Sequence, residues 1–191
     1  RLNPLTKNFA KPALPVLGIP IFWFNAWHLS RTLGIKKVIM NMCHAPNTIK
    51  KAVEDKDLKK HTGLDFIISD ETKRILGTSG ALKKIRPHVG DEPLCVVNGD
   101  ALFFPNWSQL IEYHRTKKAL LTLHVHAFAH TSYTEVKINS DGLVTQFCEN
   151  AGGGLMFSGA YVMEPAVFNL IPEGPSELRT TVFEPLMKKQ K

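Results

Sequence analysis

Short apolar runs alternate with segments of helical periodicity along most of this chain, and no other feature constrains its fold as strongly. The apolar runs that predict strands cover residues 36–42, 64–71, 93–103 and 119–128. The segments with helical spacing cover residues 19–33, 46–60, 77–88 and 106–118. Strands separated by helices of about 10–15 residues form crossover units, in which successive strands run parallel. The sequence therefore predicts an α/β protein with a largely parallel sheet.

The pattern changes after residue 128. Residues 134–138 and 143–147 both read as strands, and the four residues between them, Asn139–Gly142, are typical of a turn, which predicts a hairpin laid on the sheet. A further strand is predicted over 155–163. The chain has 191 residues, close to the length of one domain of roughly 100–200 residues. We therefore expect residues 1–191 to form a single domain with a mixed, mainly parallel central sheet.

The charge of the chain is basic but scattered. Its formal net charge is +7, which suits either a nucleic acid or phosphorylated small molecules. The lysines occur as pairs spread along the chain, from Lys36-Lys37 to Lys188-Lys189, and not as one block. Such pairs favour solvated helix faces over a nucleic-acid-binding stripe. We expect no nucleic-acid partner and a modest attraction for phosphorylated small molecules.

Neither a membrane span nor a disulfide framework is predicted. The longest apolar stretch, residues 13–24, is interrupted by two prolines and a glycine and falls short of the roughly 18 residues that a span needs. The three cysteines, Cys43, Cys95 and Cys148, are odd in number and far apart, which suits small buried apolar residues better than a disulfide or zinc site. We expect a cytoplasmic protein with no membrane partner.

The strongest predicted strand runs into Asn98-Gly99-Asp100. Ligands of open α/β sheets bind beyond the carboxyl ends of the strands. Gly99 allows close approach of the backbone to a ligand, and the Asp100 carboxylate is a hard oxygen ligand of the type that Mg²⁺ uses together with substrate phosphates. Asn-Gly and Gly-Asp are also turn dipeptides. Because apolar residues resume at 101–103, the sequence favours a metal ligand over a simple turn.

A second candidate site is the small-residue loop LGTSGAL, which runs into a helix. Backbone N–H groups at a helix N-terminus, with the hydroxyls of Thr78 and Ser79, can meet a nucleotide base or an anion. Gly77 and Gly80 place no bulky side chain in the way. A capped helix start, with Ser79 as the cap, explains the same residues equally well.

The third candidate is the opening stretch, RLNPLTKNFAKPALPV, which carries Arg1 and Lys11 on a segment with three prolines. We expect the prolines to hold the backbone extended, so that both cations are fixed by a stiff loop. Two fixed cations suit a polyphosphate, whose transfer needs charge stabilisation more than covalent help. Ordinary solvated lysine is the alternative for Lys11.

These segments resemble, in order and spacing, the motifs of the sugar-1-phosphate nucleotidyltransferases. The opening stretch resembles the second half of the family's first motif, R-[LM]-x-P-L-T followed by P-K-x-x-[LV]-P-V. LGTSGAL resembles the LGT-x-G-A segment near the nucleotide base, and VVNGD resembles the metal-binding strand end. Residues 152–168, GGGLMFSGAYVMEPAVF, resemble the L-x-F-[ST]-G strand of short members such as N-acetylmuramate-1-phosphate uridylyltransferases and mannose-1-phosphate guanylyltransferase-like proteins. The resemblance implies a three-layer, Rossmann-like fold.

The resemblance also implies a Mg²⁺-dependent enzyme that joins a nucleoside triphosphate to a sugar 1-phosphate and releases pyrophosphate. UTP is the expected donor, with GTP and mannose 1-phosphate second, and homo-oligomerisation is compatible with the sequence. On this basis we expect Arg1 and Lys11 to be catalytic and Asp100 to bind Mg²⁺. The expected nucleotide-binding residues are Gly77, Thr78, Ser79 and Gly80, and the expected sugar-binding residues are Asn98, Glu149, Ser158 and Gly159.

The chain departs from the family pattern in four places. Ala10 precedes Lys11 where the family carries proline, and Asn150 follows Glu149 where longer members carry lysine. Residues 1–191 also lack the glycine-rich half of the first motif and the late aspartate segment that supplies a second metal ligand. A regulatory module that binds a sugar nucleotide without turning it over is therefore the alternative function.

Overall fold

The computed structural model describes residues 2–128, 134–149 and 153–189. Its helices are α1 (Ile21–Leu33), α2 (Pro46–Val53), α3 (Lys56–Thr62), α4 (Gly77–Ile85), α5 (Trp107–Lys117) and α6 (Glu184–Lys188). Its strands are β1 (Pro15–Val16), β2 (Ile19–Pro20), β3 (Lys37–Met42), β4 (Asp65–Asp70), β5 (Leu94–Val97), β6 (Leu121–Phe128), β7 (Glu135–Ile138), β8 (Val144–Cys148) and β9 (Gly154–Met163). Short 3₁₀ helices cover Leu5–Lys7, Lys11–Ala13, Arg86–His88 and Pro165–Leu170, and a π-helical turn covers Arg179–Phe183. No helix within the described ranges is both long and apolar enough to cross a membrane.

Helix α1 contributes to two parts of the core. It ends as predicted at Gly34, which has a φ of 70° and whose N–H closes the last helical turn at 2.9 Å. On the side of β3 and β4 it buries Phe22 and Trp23, whose rings contact Phe66. Further along the helix, Leu29 packs with residues of α5 and β9. The apolar face of α1 therefore packs against both the sheet of β3 and β4 and the sheet that contains β9.

Strand β9 is the central strand of the larger sheet, which is formed by β5, β6, β7, β8 and β9. β5 and β6 lie antiparallel to β9 on its two edges, and the antiparallel hairpin β7–β8 joins it through β7. Because both are antiparallel to β9, β5 and β6 run in the same direction, as the crossover through α5 predicts. They are not neighbours, since β9 lies between them.

Parallel and antiparallel strand pairs both occur in the described residues, but they lie in separate sheets, so the prediction of one mixed, mainly parallel central sheet was wrong. In the described part of the chain, β3 and β4 form the one parallel pair, with a register that runs from Lys37 opposite Asp65 to Met42 opposite Asp70. The error has a physical cause. Apolar periodicity reports that a strand is buried, and it contains no information about the direction of the strand that lies beside it.

Two predicted elements differ from the structure by more than a few residues at an end. The strand expected over 93–103 ends at Val97. The helix expected over 46–60 is two helices, because Asp55 caps α3 by accepting a hydrogen bond from the Leu58 N–H at 2.9 Å. An aspartate followed by helix-forming residues is a start signal, and it interrupts an otherwise continuous helical pattern.

Candidate active site

Lys11 lies on a segment that is held in place by its neighbours. Ala10, directly before it, is buried, and the Ala10 N–H donates to Thr48 Oγ1 at 3.1 Å. His44 Nε2 lies 2.9 Å from the carbonyl oxygen of Thr6 on the same segment. Proline, the usual family residue at position 10, has no N–H and could not make the bond to Thr48. The departure at Ala10 therefore adds a hydrogen bond that fixes the backbone beside Lys11.

The prolines predict an extended backbone for this segment, and that prediction was wrong. Residues Leu5–Lys7 and Lys11–Ala13 form 3₁₀ turns. Pro12 sits in the first turn of the second one, where its fixed φ fits and its missing N–H costs no hydrogen bond. Arg1, the other predicted catalytic cation, lies outside the described residues, so its role stays a prediction.

The end of β5 leads into a tight loop, Asn98–Ala101, which two other segments hold. The Asn98 N–H donates to the carbonyl of Gly159 in β9 at 2.9 Å. A Cβ on Gly99 would lie 3.2 Å from Pro12 Cβ, so the small residue lets this loop pack against the N-terminal segment. The loop is thereby fixed against both the sheet and the segment that carries the predicted cation.

The fold brings together Lys11 and Asp100, which are far apart in the sequence. Lys11 Nζ lies 3.9 Å from Asp100 Oδ2, and the two side chains are 52% and 40% exposed. An exposed ion pair of this kind contributes at most about 1 kcal/mol to folding. Both charges therefore remain accessible to a ligand.

The residues around Asp100 fit one of the ways in which proteins bind Mg²⁺. Mg²⁺ is usually held by one or two carboxylates, several waters and the phosphate oxygens of a substrate. Asp100 supplies one exposed carboxylate. Within the described ranges, no group of three or more His, Cys, Asp or Glu side chains could hold a metal ion by itself. The site suits a cation that arrives with phosphates, and the assignment of Asp100 as its ligand stays a prediction.

Three of the predicted sugar-binding residues meet where β9 passes the end of β5. Gly159 has a φ of +86°, and a Cβ there would overlap the side-chain amide of Asn98. Ser158 is 4% exposed; its Oγ lies 2.8 Å from His124 Nδ1 and accepts from the Ala160 N–H at 3.2 Å. The Ser158 hydroxyl is thus engaged inside the protein, whereas Asn98 is exposed. Of these residues, Asn98 is the one with an exposed side chain, and the sugar contacts of all three stay predictions.

The surroundings of the His124 ring disfavour its protonated, charged form. Burial lowers the pKa of His124 from its ordinary value of 6.5, and the neighbouring His126 lowers that pKa further. The neutral imidazole is therefore favoured as the partner of Ser158. This contact fixes the local geometry of β9 next to Gly159.

The predicted nucleotide loop is the first turn of α4, and it packs against residues 174–178. The N–H groups of Ser79 and Gly80 donate to the Ser176 carbonyl at 3.1 and 3.3 Å, and Ser79 is fully buried. Thr78 Oγ1 donates to Glu177 Oε2 at 2.7 Å. The two amides therefore have an internal partner, contrary to the prediction, and Ser79 makes no capping hydrogen bond. Nucleotide contact by the exposed Thr78 and the neighbouring Gly77 stays a prediction.

Close approach of another chain segment explains the two glycines of this loop. Gly77 has a φ of +72°, and a Cβ there would lie 2.5 Å from the Ser176 carbonyl oxygen. A Cβ on Gly80 would overlap the carbonyl oxygen of Gly174. The glycines are needed for packing in this structure, whether or not a nucleotide binds beside them.

Glu149 lies at the end of β8, where Arg179 neutralises it. Arg179 Nη1 lies 3.2 Å from Glu149 Oε1, and the Arg179 guanidinium also stacks over the Phe147 ring at 5.7 Å. Arg179 pairs with Glu184 as well, at 3.4 Å. Arg179 is not among the predicted site residues, because it lies 30 residues from its partner and no local pattern joins the two. The sugar contact of Glu149 stays a prediction.

Asn25 is a second residue of the site region that is not among the predicted site residues. It lies on α1, is 3% exposed, and donates hydrogen bonds to the loop that carries Asp100. A signal is present in the sequence, since Asn25 is an amide among the apolar residues IFWFNAW. A buried amide in such a run has to find hydrogen-bond partners.

Comparison with known proteins identifies relatives along the whole chain. A family model described as nucleotidyl transferase matches residues 1–188. The chain is 29% identical over 184 residues to the N-acetylmuramate alpha-1-phosphate uridylyltransferase of Neisseria meningitidis, covering 91% of this chain and 74% of the relative. It is 27% identical over 191 residues to the probable mannose-1-phosphate guanylyltransferase 2 of Oryza sativa, covering 96% of this chain and 52% of the relative. The chain thus spans about half the length of some of the curated relatives that it matches.

A solved structure confirms the fold. The crystal structure of HddC from Yersinia pseudotuberculosis complexed with GMP-PN has a TM-score of 0.78 at 21% identity, over 93% of this chain and 77% of that chain. At this identity the likeness bears on the fold and not on the substrate. The predicted α/β architecture is therefore confirmed. Since the family model covers nearly every residue, this chain belongs to the nucleotidyl transferase family.

Proposed function

We propose that residues 1–191 form the catalytic domain of a sugar-1-phosphate nucleotidyltransferase. In this reaction a phosphate oxygen of the sugar 1-phosphate attacks the α-phosphorus of a nucleoside triphosphate. The bond from that phosphorus to the oxygen bridging to the β-phosphate breaks, and pyrophosphate leaves. The observation that carries the proposal is the exposed pairing of Lys11 with Asp100 at 3.9 Å. It joins a cation and a hard oxygen ligand at one accessible point.

Lys11 stabilises the negative charge of the α-phosphate and of the incoming sugar phosphate. An ammonium group acts there as a compact point charge with three donors. The bond from the Ala10 N–H to Thr48 fixes the backbone beside Lys11 before a substrate arrives, so that little reorganisation is needed during the reaction. Arg1 is proposed to stabilise the leaving pyrophosphate.

Asp100 is the residue proposed to hold Mg²⁺. When bound with the triphosphate, Mg²⁺ neutralises phosphate oxygens and so lowers the barrier to transfer. The remaining contribution of the chain is positioning, because in-line transfer gains much of its rate from holding the two phosphates together.

The proposed substrates are UTP and the 1-phosphate of an amino or acidic sugar. The name of the Neisseria relative, 74% of which this chain covers, supports uridylyl transfer. GTP with mannose 1-phosphate is the second pair, supported by the name of the rice relative. Asn98 is the proposed sugar contact, because its exposed amide can both donate to and accept from hydroxyl groups.

The proposal is tested by measuring pyrophosphate release from the complete gene product with Mg²⁺, each nucleoside triphosphate and a panel of sugar 1-phosphates. We expect one pair to turn over well above the rest. Lys11→Met should lower kcat/KM by about 10²–10³-fold, the usual effect of removing one charge-stabilising group. Lys7→Met, which removes an exposed lysine of the same segment, is the matched control and should leave the rate unchanged.

The same panel separates the enzyme from the regulatory module. Calorimetric binding of a nucleotide sugar without pyrophosphate release from any pair would contradict the enzyme and favour the module. Equal turnover by wild type and Lys11→Met would contradict the role proposed for Lys11.

A further inference from the structure

Asn25 ties together the two ends of the loop that carries Asp100. Its Nδ2 donates to the Asn98 carbonyl oxygen at 3.1 Å and to the Ala101 carbonyl oxygen at 2.6 Å. These are the first and last carbonyls of the loop. The two hydrogens of one buried amide group therefore fix the span across Gly99 and Asp100.

The loop depends on this amide because it lies outside the strand ladder. β5 ends at Val97, and the bond from the Asn98 N–H to Gly159 is made at the first loop residue. Removing the Asn25 amide would leave two carbonyl oxygens without the donor that now pairs them. The loop could then open away from the sheet, and Asp100 would move with it.

At this position the fold uses the donor of the Asn25 amide and not its acceptor. The other polar atom of the side chain, Asn25 Oδ1, is buried and has no hydrogen-bond partner among the described residues. An unpaired buried oxygen is unfavourable, so the side chain accepts a cost in order to supply its Nδ2 donor. Alanine and leucine have no donor, and aspartate of the same shape presents oxygen to both carbonyls.

The loop is also the point where Asp100 and Lys11 are held in relation to each other. Gly99 packs against Pro12, the residue after Lys11. A loop fixed by Asn25 therefore holds the carboxylate at one place relative to the ammonium, which lies 3.9 Å away. A displaced loop would separate the two charges that the proposed reaction uses together.

We propose that Asn25 is a positioning residue, which holds the loop Asn98–Ala101 so that the Asp100 carboxylate is placed for a cation bound with the nucleotide phosphates. This inference rests on the proposed function, since it assigns to Asn25 the placement of the proposed metal ligand. Asn25 itself is too buried to touch a substrate. Its loss weakens the metal-dependent part of nucleotide binding and spares the metal-independent part.

The test measures the calorimetric affinity of the complete gene product for α,β-methylene UTP and α,β-methylene GTP, with excess Mg²⁺ and again in EDTA. The ratio of the two dissociation constants reports how much the metal strengthens nucleotide binding. Asn25→Ala should lower this ratio about tenfold, as loss of a residue that orients a metal ligand does, with the EDTA value unchanged. Asp100→Asn gives the fully uncoupled reference, and Ser30→Ala, another buried polar residue of α1, should leave the ratio as in wild type.

The outcomes separate the inference from the function on which it rests. A folded Asn25→Ala protein with a lower melting temperature and the wild-type ratio would overturn the inference, since Asn25 would then be structural only. A wild-type ratio near one with both analogues would overturn the proposed function, and the inference with it. Asn25→Asp keeps the shape of the side chain and replaces Asn25→Ala in the same measurement if the alanine variant does not fold.

Discussion

Gly80 in the first turn of α4 gives a mutational prediction whose sign depends on tertiary packing. In an exposed helix interior, Gly→Ala stabilises by about 1 kcal/mol. Gly80 is instead buried against another segment. A Cβ there would overlap the Gly174 carbonyl oxygen and lie 3.1 Å from Leu76 Cβ. The Gly80→Ala change should therefore destabilise the protein.

The size of the destabilisation follows from the backbone that a Cβ at position 80 would displace. A backbone carbonyl cannot rotate away as a side chain does, and overpacking of this kind costs about 1–3 kcal/mol. Moving the backbone near Gly174 also strains the bond from the Gly80 N–H to the Ser176 carbonyl, now 3.3 Å long, and such a bond contributes about 1 kcal/mol. A cost of about 3 kcal/mol against a helical gain of about 1 kcal/mol leaves a net loss of about 2 kcal/mol.

Urea denaturation measures this loss. With a slope of about 2 kcal/mol/M, a loss of about 2 kcal/mol lowers the unfolding midpoint by about 1 M. Gly90→Ala is the matched control, because a Cβ there meets nothing within 4 Å, and its midpoint should stay near that of wild type. A Gly80→Ala protein as stable as wild type, or more stable, would refute the reasoning.

Three further predictions concern single side chains. Burial raises the pKa of the Cys95 thiol to about 11, so Cys95 should resist iodoacetamide at pH 8 in the native protein and react after unfolding, as read by peptide mass spectrometry. The pKa of His124 is lowered by folding, so unfolded chains take up its proton first as pH falls; wild type should lose more stability between pH 7.5 and 5.5 than His124→Asn, measured by urea midpoints. Arg179→Ala should cost less than about 1 kcal/mol through its exposed pair with Glu149, and a shift above 2 kcal/mol in thermal unfolding would contradict that estimate.

Features with a local cause could be predicted from the sequence. The glycine that ends α1, Gly34, lies at the expected position. Asn106 caps α5 by accepting from the Gln109 N–H at 3.1 Å, as its type and place predict. Asn139 closes the hairpin turn, where the Gly142 N–H donates to its carbonyl at 3.0 Å. Each of these depends on residues a few positions apart, which a single sequence displays directly.

Features made by distant segments could not be predicted in the same way. β9 lies between β5 and β6, and the apolar periodicity of these three strands does not indicate which of them are neighbours. The partner of the Ser79 and Gly80 amides, Ser176, lies almost 100 positions later. The convergence of Lys11 and Asp100 was expected from the family resemblance alone, because no local pattern joins them.

Pyrophosphorolysis by wild type and Asp100→Asn tests the central claim most directly. The complete gene product is incubated with Mg²⁺, pyrophosphate and its nucleotide sugar, and release of nucleoside triphosphate is followed. We predict that Asp100→Asn lowers kcat by about 10³-fold, because the variant loses the carboxylate proposed to hold the Mg²⁺ that would neutralise the phosphate oxygens. The melting temperature should change little, since the Lys11–Asp100 pair is exposed. Turnover by Asp100→Asn at the wild-type rate would contradict the claim that these two residues form the centre of a nucleotidyl-transfer site.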